Sequence, residues 1–460
     1  MPRSRIKLIV PIQLTVALVF FAYTLFYTYK LKVSPLFAYS GLTFRSPDPF
    51  SYSIAIALTV IVAVALPRTI TRVSDFILWV FFVLGVAPSI LLAQYSKTLE
   101  SAEALKMGFT IAATTLIVIF LAKLGPQEVN LVKRFEKGTT FWTCLVVFSI
   151  AVYTALVFQT GLSFKYLALD DVYGVRSDFG TASAGSIIVG YLLPVQINAV
   201  NPMFIIKGIL SKRVVPLSVG CLGQFVAYAT GGQKSTLFSL FAILGIVLLF
   251  RIYNLRVVRG SAILLGITAI STLALLADRL NGGILWTSLI SRRVMIVPGA
   301  LTAAYVEVFH NSPRQNFAEV IPLFPNPYTD IRPVNIVGAQ FVGDPTTAAN
   351  VNLFGHGYLQ MGYLGMFIEG AVLAILLILA NSATRDLPLV VSCVAFFGGT
   401  LALVSASVFT TTLTNGFFAT IVLCALAPPD TWHRSKTSKS SPQAGDQNAS
   451  SFIARQEFAV

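Results

Sequence analysis

The chain has 460 residues, 55% of them hydrophobic and 11% charged, with a mean hydropathy of +0.77 and a formal net charge of +14. That leaves too little polar surface to coat a soluble globule of this size, so the composition predicts an integral membrane protein. Cys144, Cys221, Cys393 and Cys424 all sit in apolar runs without metal-ligand spacing, which predicts small buried hydrophobes rather than a disulfide or zinc framework.

In chain order, the first apolar run, Leu8 to Tyr29, is of full spanning length and lacks a cleavage pattern, so it reads as a first helix rather than a signal peptide. Further spans are expected at about 50–67, 76–95, 107–124, 140–160, 186–206, 214–231, 235–250, 261–280, 366–381, 387–405 and 412–427. The predicted fold is therefore all-α, a polytopic membrane domain over 1–427 with about twelve transmembrane helices. A Ser/Lys/Gln-rich segment, 428–460, follows Pro428 and Pro429 and is expected to be a disordered cytoplasmic tail.

Basic residues set the expected orientation. Arg3, Arg5 and Lys7, the turn with Arg68 and Arg72, and the group Lys133, Arg134 and Lys137 fall on one side of the predicted spans. Lys207, Lys212 and Arg213, then Arg251, Arg256 and Arg259, then Arg385 fall there too. The positive-inside rule makes that side the cytoplasm and places both termini in it. Anionic lipid is partner enough for this charge, so no nucleic acid is implied.

Two segments then fall outside, a loop at about 162–185 and a large one at about 281–365. They carry Lys165, Arg176, Arg279, Arg292, Arg293, Arg314 and Arg332 where cations are not expected, which points to an anionic ligand. In the large loop, Trp286 to Phe309 predicts a helix lying at or dipping into the interface, broken at Pro298-Gly299, with Tyr305 and Phe309 one turn apart. Phe324-Pro-Asn-Pro-Tyr328 cannot continue a helix. The run Asn350 to Gly365, which contains Asn352 and His356, leads back into the membrane through glycines that allow close approach of backbone or substrate. Lys234, in Gly231-Gly-Gln-Lys-Ser235, stands at the outer mouth of a helix pair where amide groups could hold a phosphate.

Arg176, the Gly-Gly-Gln-Lys234-Ser turn, the stretch from Arg292-Arg293 through Val-Pro298-Gly299 to Tyr305, and Asn-Leu-Phe-Gly-His356-Gly-Tyr leading to Gly-Tyr-Leu-Gly365 together resemble the bacterial O-antigen polymerase family, the oligosaccharide repeat-unit polymerases of Wzy type. The resemblance covers the span count and about 160–380. It implies a membrane-embedded glycosyltransferase at the periplasmic face of the bacterial inner membrane. Such enzymes transfer a growing glycan from undecaprenyl pyrophosphate to a lipid-linked repeat unit of O-antigen, capsule or exopolysaccharide. A polysaccharide chain-length regulator is a candidate partner.

That chemistry sorts the residues. Arg293 is expected to neutralise the pyrophosphate leaving group, with Arg176, Lys234, Arg292, Tyr305 and Asn352 holding pyrophosphate or glycan. His356 leads the candidates for the base that takes the acceptor proton, ahead of Asp178, Glu307, Glu319, Asp330 and Asp344. The sequence has no Asp-x-Asp, so neither a metal nor another cofactor is expected. Two alternatives stay open: an O-antigen ligase using the same donor, and a polytopic transporter or flippase. Transport is disfavoured because the spans are almost free of ionisable groups, with Glu369 near an outer end.

Overall fold

The computed structural model describes residues 3–126, 129, 132–160, 186, 188–231, 234–253, 258–321 and 323–432. Arg176, the smaller loop at 162–185 and the tail beyond Trp432 lie outside the described residues.

The molecule is mostly helical, as its composition predicts. Among the described residues, eight helices are long and apolar enough to cross a membrane: Ile12–Ser40, Val73–Tyr95, Ser101–Leu124, Gly138–Gln159, Ile188–Ser211, Gly260–Leu280, Leu285–Val308 and Tyr363–Thr384. Seven of these coincide with expected spans. Five other expected spans are shorter apolar helices, among them Pro49–Ala65 and Leu389–Ser405. Local chemistry starts several of them. Asp48 accepts from the Ser51 amide and hydroxyl with Pro49 in the first turn, and Ser407 caps the helix that begins at Val408.

Contacts between non-adjacent turns define the two ends of the bundle. At one end the short strands Thr69–Ile70 and Val258–Arg259 pair antiparallel, and Lys123 donates to the Ala65 carbonyl. Arg134 meets Asp386 at 3.0 Å, and the Phe135 amide donates to the Leu426 carbonyl, at that same end. At the opposite end Phe44 bridges Ser96, Tyr29 donates to the Thr43 carbonyl, and Tyr363 donates to Glu103.

Leu285–Val308 corrects one expectation. The helix is not broken at Pro298-Gly299 but runs on as nine π-helical residues, Ser288–Ile296, followed by an α-helix, Val297–Val308. Pro298 falls directly after the change of winding, as the second residue of the α segment. Gly299 lets the helix press on Pro88 and Leu92; a Cβ there would stand 2.7 Å from Leu92 Cδ1. Both termini of this helix meet the same end of the bundle. Its start is held by buried Asp278, which accepts from the Trp286 and Thr287 amides beside Lys32, a donor to the Asp278 and Gly283 carbonyls. Its last turn shares a cavity with Thr43 and Lys97.

The cysteines are all free; Cys393 and Cys424 are buried as expected, whereas Cys144 is exposed on an apolar helix surface.

Candidate functional site

The large expected loop folds back on itself through a tight helical hairpin, Leu353–Met361 followed by Tyr363–Thr384. The two helices cross backbone to backbone at Gly357 and Gly365: a Cβ on Gly365 would lie 1.9 Å from the Gly357 carbonyl oxygen, and one on Gly357 2.6 Å from that of Gly365. Gly362 links them at φ +61°, a conformation other residues rarely adopt. Of the glycines flanking His356, Gly357 serves this backbone packing, which carries the imidazole onto the next helix, while Gly355 makes room for the Val351 side chain.

There His356 Nδ1 hydrogen-bonds the Glu369 carboxylate, a fully buried group whose other oxygen accepts from the Val408 amide at 3.0 Å. On its other side His356 Nε2 faces the Gln360 amide nitrogen at 3.0 Å and the half-exposed Glu319 carboxylate at 3.9 Å. Gln360 also donates to Gln315 and accepts from the Phe317 amide, and Gln315 donates to Glu319, so each member of the network is fixed by the next. Burial works against a charged imidazole, but Glu369 and Glu319 outweigh it and raise the His356 pKa to about 9. The neighbouring His356 imidazole in turn holds the Glu319 carboxyl below its usual range.

Two protonation states compete here. A Gln360 N–H facing Nε2 requires that nitrogen to accept, which defines a neutral imidazole with its proton on Nδ1 toward Glu369. Protonation at Nε2, which the two carboxylates favour, requires Gln360 to turn away. The arrangement is that of a base oriented by a buried carboxylate, with a proton-accepting atom at the half-open edge of the site.

Asn352 stands at the head of the same hairpin, fully buried. Its side-chain oxygen caps the helix by accepting from the Phe354 and Gly355 amides, and its nitrogen donates to Thr302 at 2.9 Å and Ser89 at 3.3 Å. Tyr305, 1% exposed, donates to the Ala349 carbonyl and stacks at an angle on Phe309, which in turn meets Tyr328. Both residues tie the helix Leu285–Val308 to the hairpin, and both have their polar atoms engaged within the protein.

Arg292 and Arg293 lie on the π-helical segment Ser288–Ile296, which packs against two further π-helical segments, Tyr29–Val33 and Phe82–Val86. π-helical turns are uncommon and recur at functional sites. The Arg292 guanidinium covers the Phe37 ring at 4.0 Å and its Nε donates to Ser288, while Arg293 is exposed. Arg293 precedes Tyr305 by about 18 Å along the helix axis. Arg293 thus stands several turns before Thr302, the residue of this helix that bonds Asn352 at the head of the hairpin. Lys234 opens the helix Lys234–Ile252. Arg176 lies outside the described residues.

A second group of charged and aromatic side chains stands beside the hairpin. Arg314 donates to the Tyr358 carbonyl and covers its ring at 4.5 Å, Lys106 covers the Tyr363 ring at 4.5 Å, and Glu103 lies between Tyr363, Lys106 and His310.

Of these groups, Glu369 is the one that residue-by-residue reading did not join to His356. The signal available was a buried carboxylate in an otherwise apolar run, one helix after a glycine-rich turn. No cluster of three or more His, Cys, Asp or Glu with the geometry to hold a metal ion occurs among the described residues. No family model, curated protein or solved structure matches this chain.

Proposed function

We propose that the chain is a membrane-embedded glycosyltransferase of the bacterial inner membrane, a polysaccharide repeat-unit polymerase that uses undecaprenyl-pyrophosphate-linked glycan at the periplasmic face. The observation that carries this reading is the His356–Glu369 pair with Glu319 beside it, at the bundle end where the arginine-bearing helix also terminates. Twelve crossings follow if the seven long helices that coincide with expected spans and the five shorter ones all traverse the bilayer and Leu285–Val308 lies across one end. Both termini are then cytoplasmic and the segment from Asn281 to Gly365 is periplasmic.

In this mechanism the acceptor sugar hydroxyl gives its proton to His356 Nε2 as its oxygen attacks the anomeric carbon of the donor. The bond from that carbon to the pyrophosphate oxygen breaks, and the electron pair leaves with the pyrophosphate. Glu369 stabilises the imidazolium that forms, and Glu319 attracts the same charge. Arg293, with Arg292, Arg176 and Lys234, supplies positive charge toward the leaving group. Asn352 and Tyr305 serve by holding the hairpin in place.

Deletion of the gene followed by gel analysis of surface glycan tests the reading. Loss of the polymer ladder with one capped repeat unit retained is the expected result. Loss of all capping would assign a ligase, and unchanged glycan would overturn the glycosyltransferase reading. Transport is the reading that a buried, histidine-paired Glu369 would otherwise favour.

A further inference from the structure

A cavity of about 360 Å³ opens at the same end of the bundle, on a different face of the helix Leu285–Val308 from the one that carries Tyr305. Ala304, Glu307 and Val308 line it, at the i, i+3, i+4 spacing that marks one helix face. Tyr305 and Phe309, on the neighbouring face, point to Ala349 and Tyr328. Facing Glu307 across the space are Thr43, Lys97 and Thr98 from two turns of the bundle, and Gln340 and Phe341 from the helix Pro333–Val342.

This lining is built rather than incidental. Gly41, at φ +80°, lets the turn after Ile12–Ser40 lie directly on the Phe341 backbone; a Cβ there would be 2.2 Å from the Phe341 carbonyl oxygen. Thr98 is among the lining residues, although its hydroxyl is itself buried within the protein.

We infer that this cavity is a saccharide-binding subsite, separate from the His356 centre. The lining residues bring one carboxylate, one ammonium, one carboxamide, threonine side chains and an aromatic ring. That mixture offers donors and acceptors in balance to a ring bearing several hydroxyls, while Phe341 supplies an apolar face. With a single cation opposed by a single anion, it is poorly suited to a phosphate group. Its volume is at the small end of the range for small-molecule pockets, about 300–1,000 Å³. The identification of the sugar as a unit of the protein's own glycan rests on the proposed function. Under that reading the subsite grips a sugar of the bound chain one helix away from the reacting bond.

Saturation-transfer difference NMR on the full chain in nanodiscs, with a panel of free monosaccharides and with inorganic pyrophosphate as a comparison probe, tests this. At least one sugar should receive saturation and pyrophosphate should not compete with it. Glu307→Ala and Gln340→Ala, both at exposed positions, should each weaken that sugar by about tenfold, and His356→Ala should leave it unchanged. Absence of saturation for every sugar, or binding that survives both cavity substitutions, would overturn the subsite. Because the readout is binding, sugar binding that persists while gene deletion leaves surface glycan unchanged would remove the polymerase reading alone. Polymer loss on deletion with no sugar bound here would remove the subsite alone.

Discussion

A histidine pressed between two carboxylates is most informative through its proton. In the unfolded chain the His356 pKa is near the ordinary value of about 6.5, and in the folded protein it rises to about 9. The charged imidazole is thus bound more tightly by the folded state, so its stabilisation is fully present below pH about 6.5 and is lost as pH rises through about 9. Catalysis runs the opposite way: a base must be neutral, so kcat/KM for polymerisation should climb with pH toward a limb near 9. Glu369→Gln removes the charge that Nδ1 faces and should move that limb down by a unit or more, about 1.4 kcal/mol per unit. A rate profile on lipid-linked repeat units that is flat between pH 6 and 10, or unmoved by Glu369→Gln, would remove His356 from the role of base.

Arg293 offers a different test at the same scale. It is exposed on its helix, so Arg293→Ala should leave the fold intact while abolishing polymer. Arg293→Lys should stay impaired because a point charge does not reproduce the planar fork that grips two phosphate oxygens. Normal polymer from Arg293→Lys would mean that general positive charge suffices. Candidates of this kind are what the sequence offers most readily: His356 stands out by its residue type and its flanking glycines, and Arg293 by its place among cations on the wrong side of the predicted membrane. Glu369 did not stand out as a partner. It lies thirteen positions after His356 in the chain, and only the fold of the hairpin between them closes the distance.

At the scale of elements, the site depends on one crossing. Gly357 and Gly365 are in contact without a side chain between them, so Gly365→Ala must push the helices apart and separate His356 from Glu369. Overpacking of this kind costs about 1–3 kcal/mol, and more when backbone atoms must move. The expected result is a lowered Tm with polymer lost, read by thermal unfolding of the detergent-solubilised protein and by the glycan ladder. Gly245→Ala is the matched control: nothing lies within 4 Å of its added Cβ, and in a helix interior alanine is favoured over glycine by about 0.5–1 kcal/mol. Equal losses from the two substitutions would show that the crossing has no special weight. The sequence also makes plain why one element escaped it. Pro298-Gly299 reads as a break, but a π-helical run precedes it and the helix continues, with the proline second in the α segment and the glycine in a helix contact. Neither effect has a signature in hydropathy.

For the whole molecule the decisive question is what Leu285–Val308 does. By length and composition it qualifies as a span, and if it crossed, everything from Phe309 to Asn352 would change sides and the His356 centre would face the opposite compartment from the one proposed. Its contacts argue against crossing: Asp278 and Lys32 hold one terminus and Thr43 and Lys97 flank the other, and those residues belong to one end of the bundle. On the proposed topology such a helix would lie across that end, its π-helical segment packed on Tyr29–Val33 and Phe82–Val86 and its α segment on Ala87–Tyr95. Cysteines introduced at Leu280 and Asn311, both exposed, bracket it. A membrane-impermeant maleimide should label both in spheroplasts, and a cysteine at Arg213 should react only after the membrane is permeabilised. Labelling of Leu280→Cys without Asn311→Cys would show that the helix crosses, and would place His356 and the saccharide cavity away from periplasmic substrate, removing the proposed reaction along with the topology.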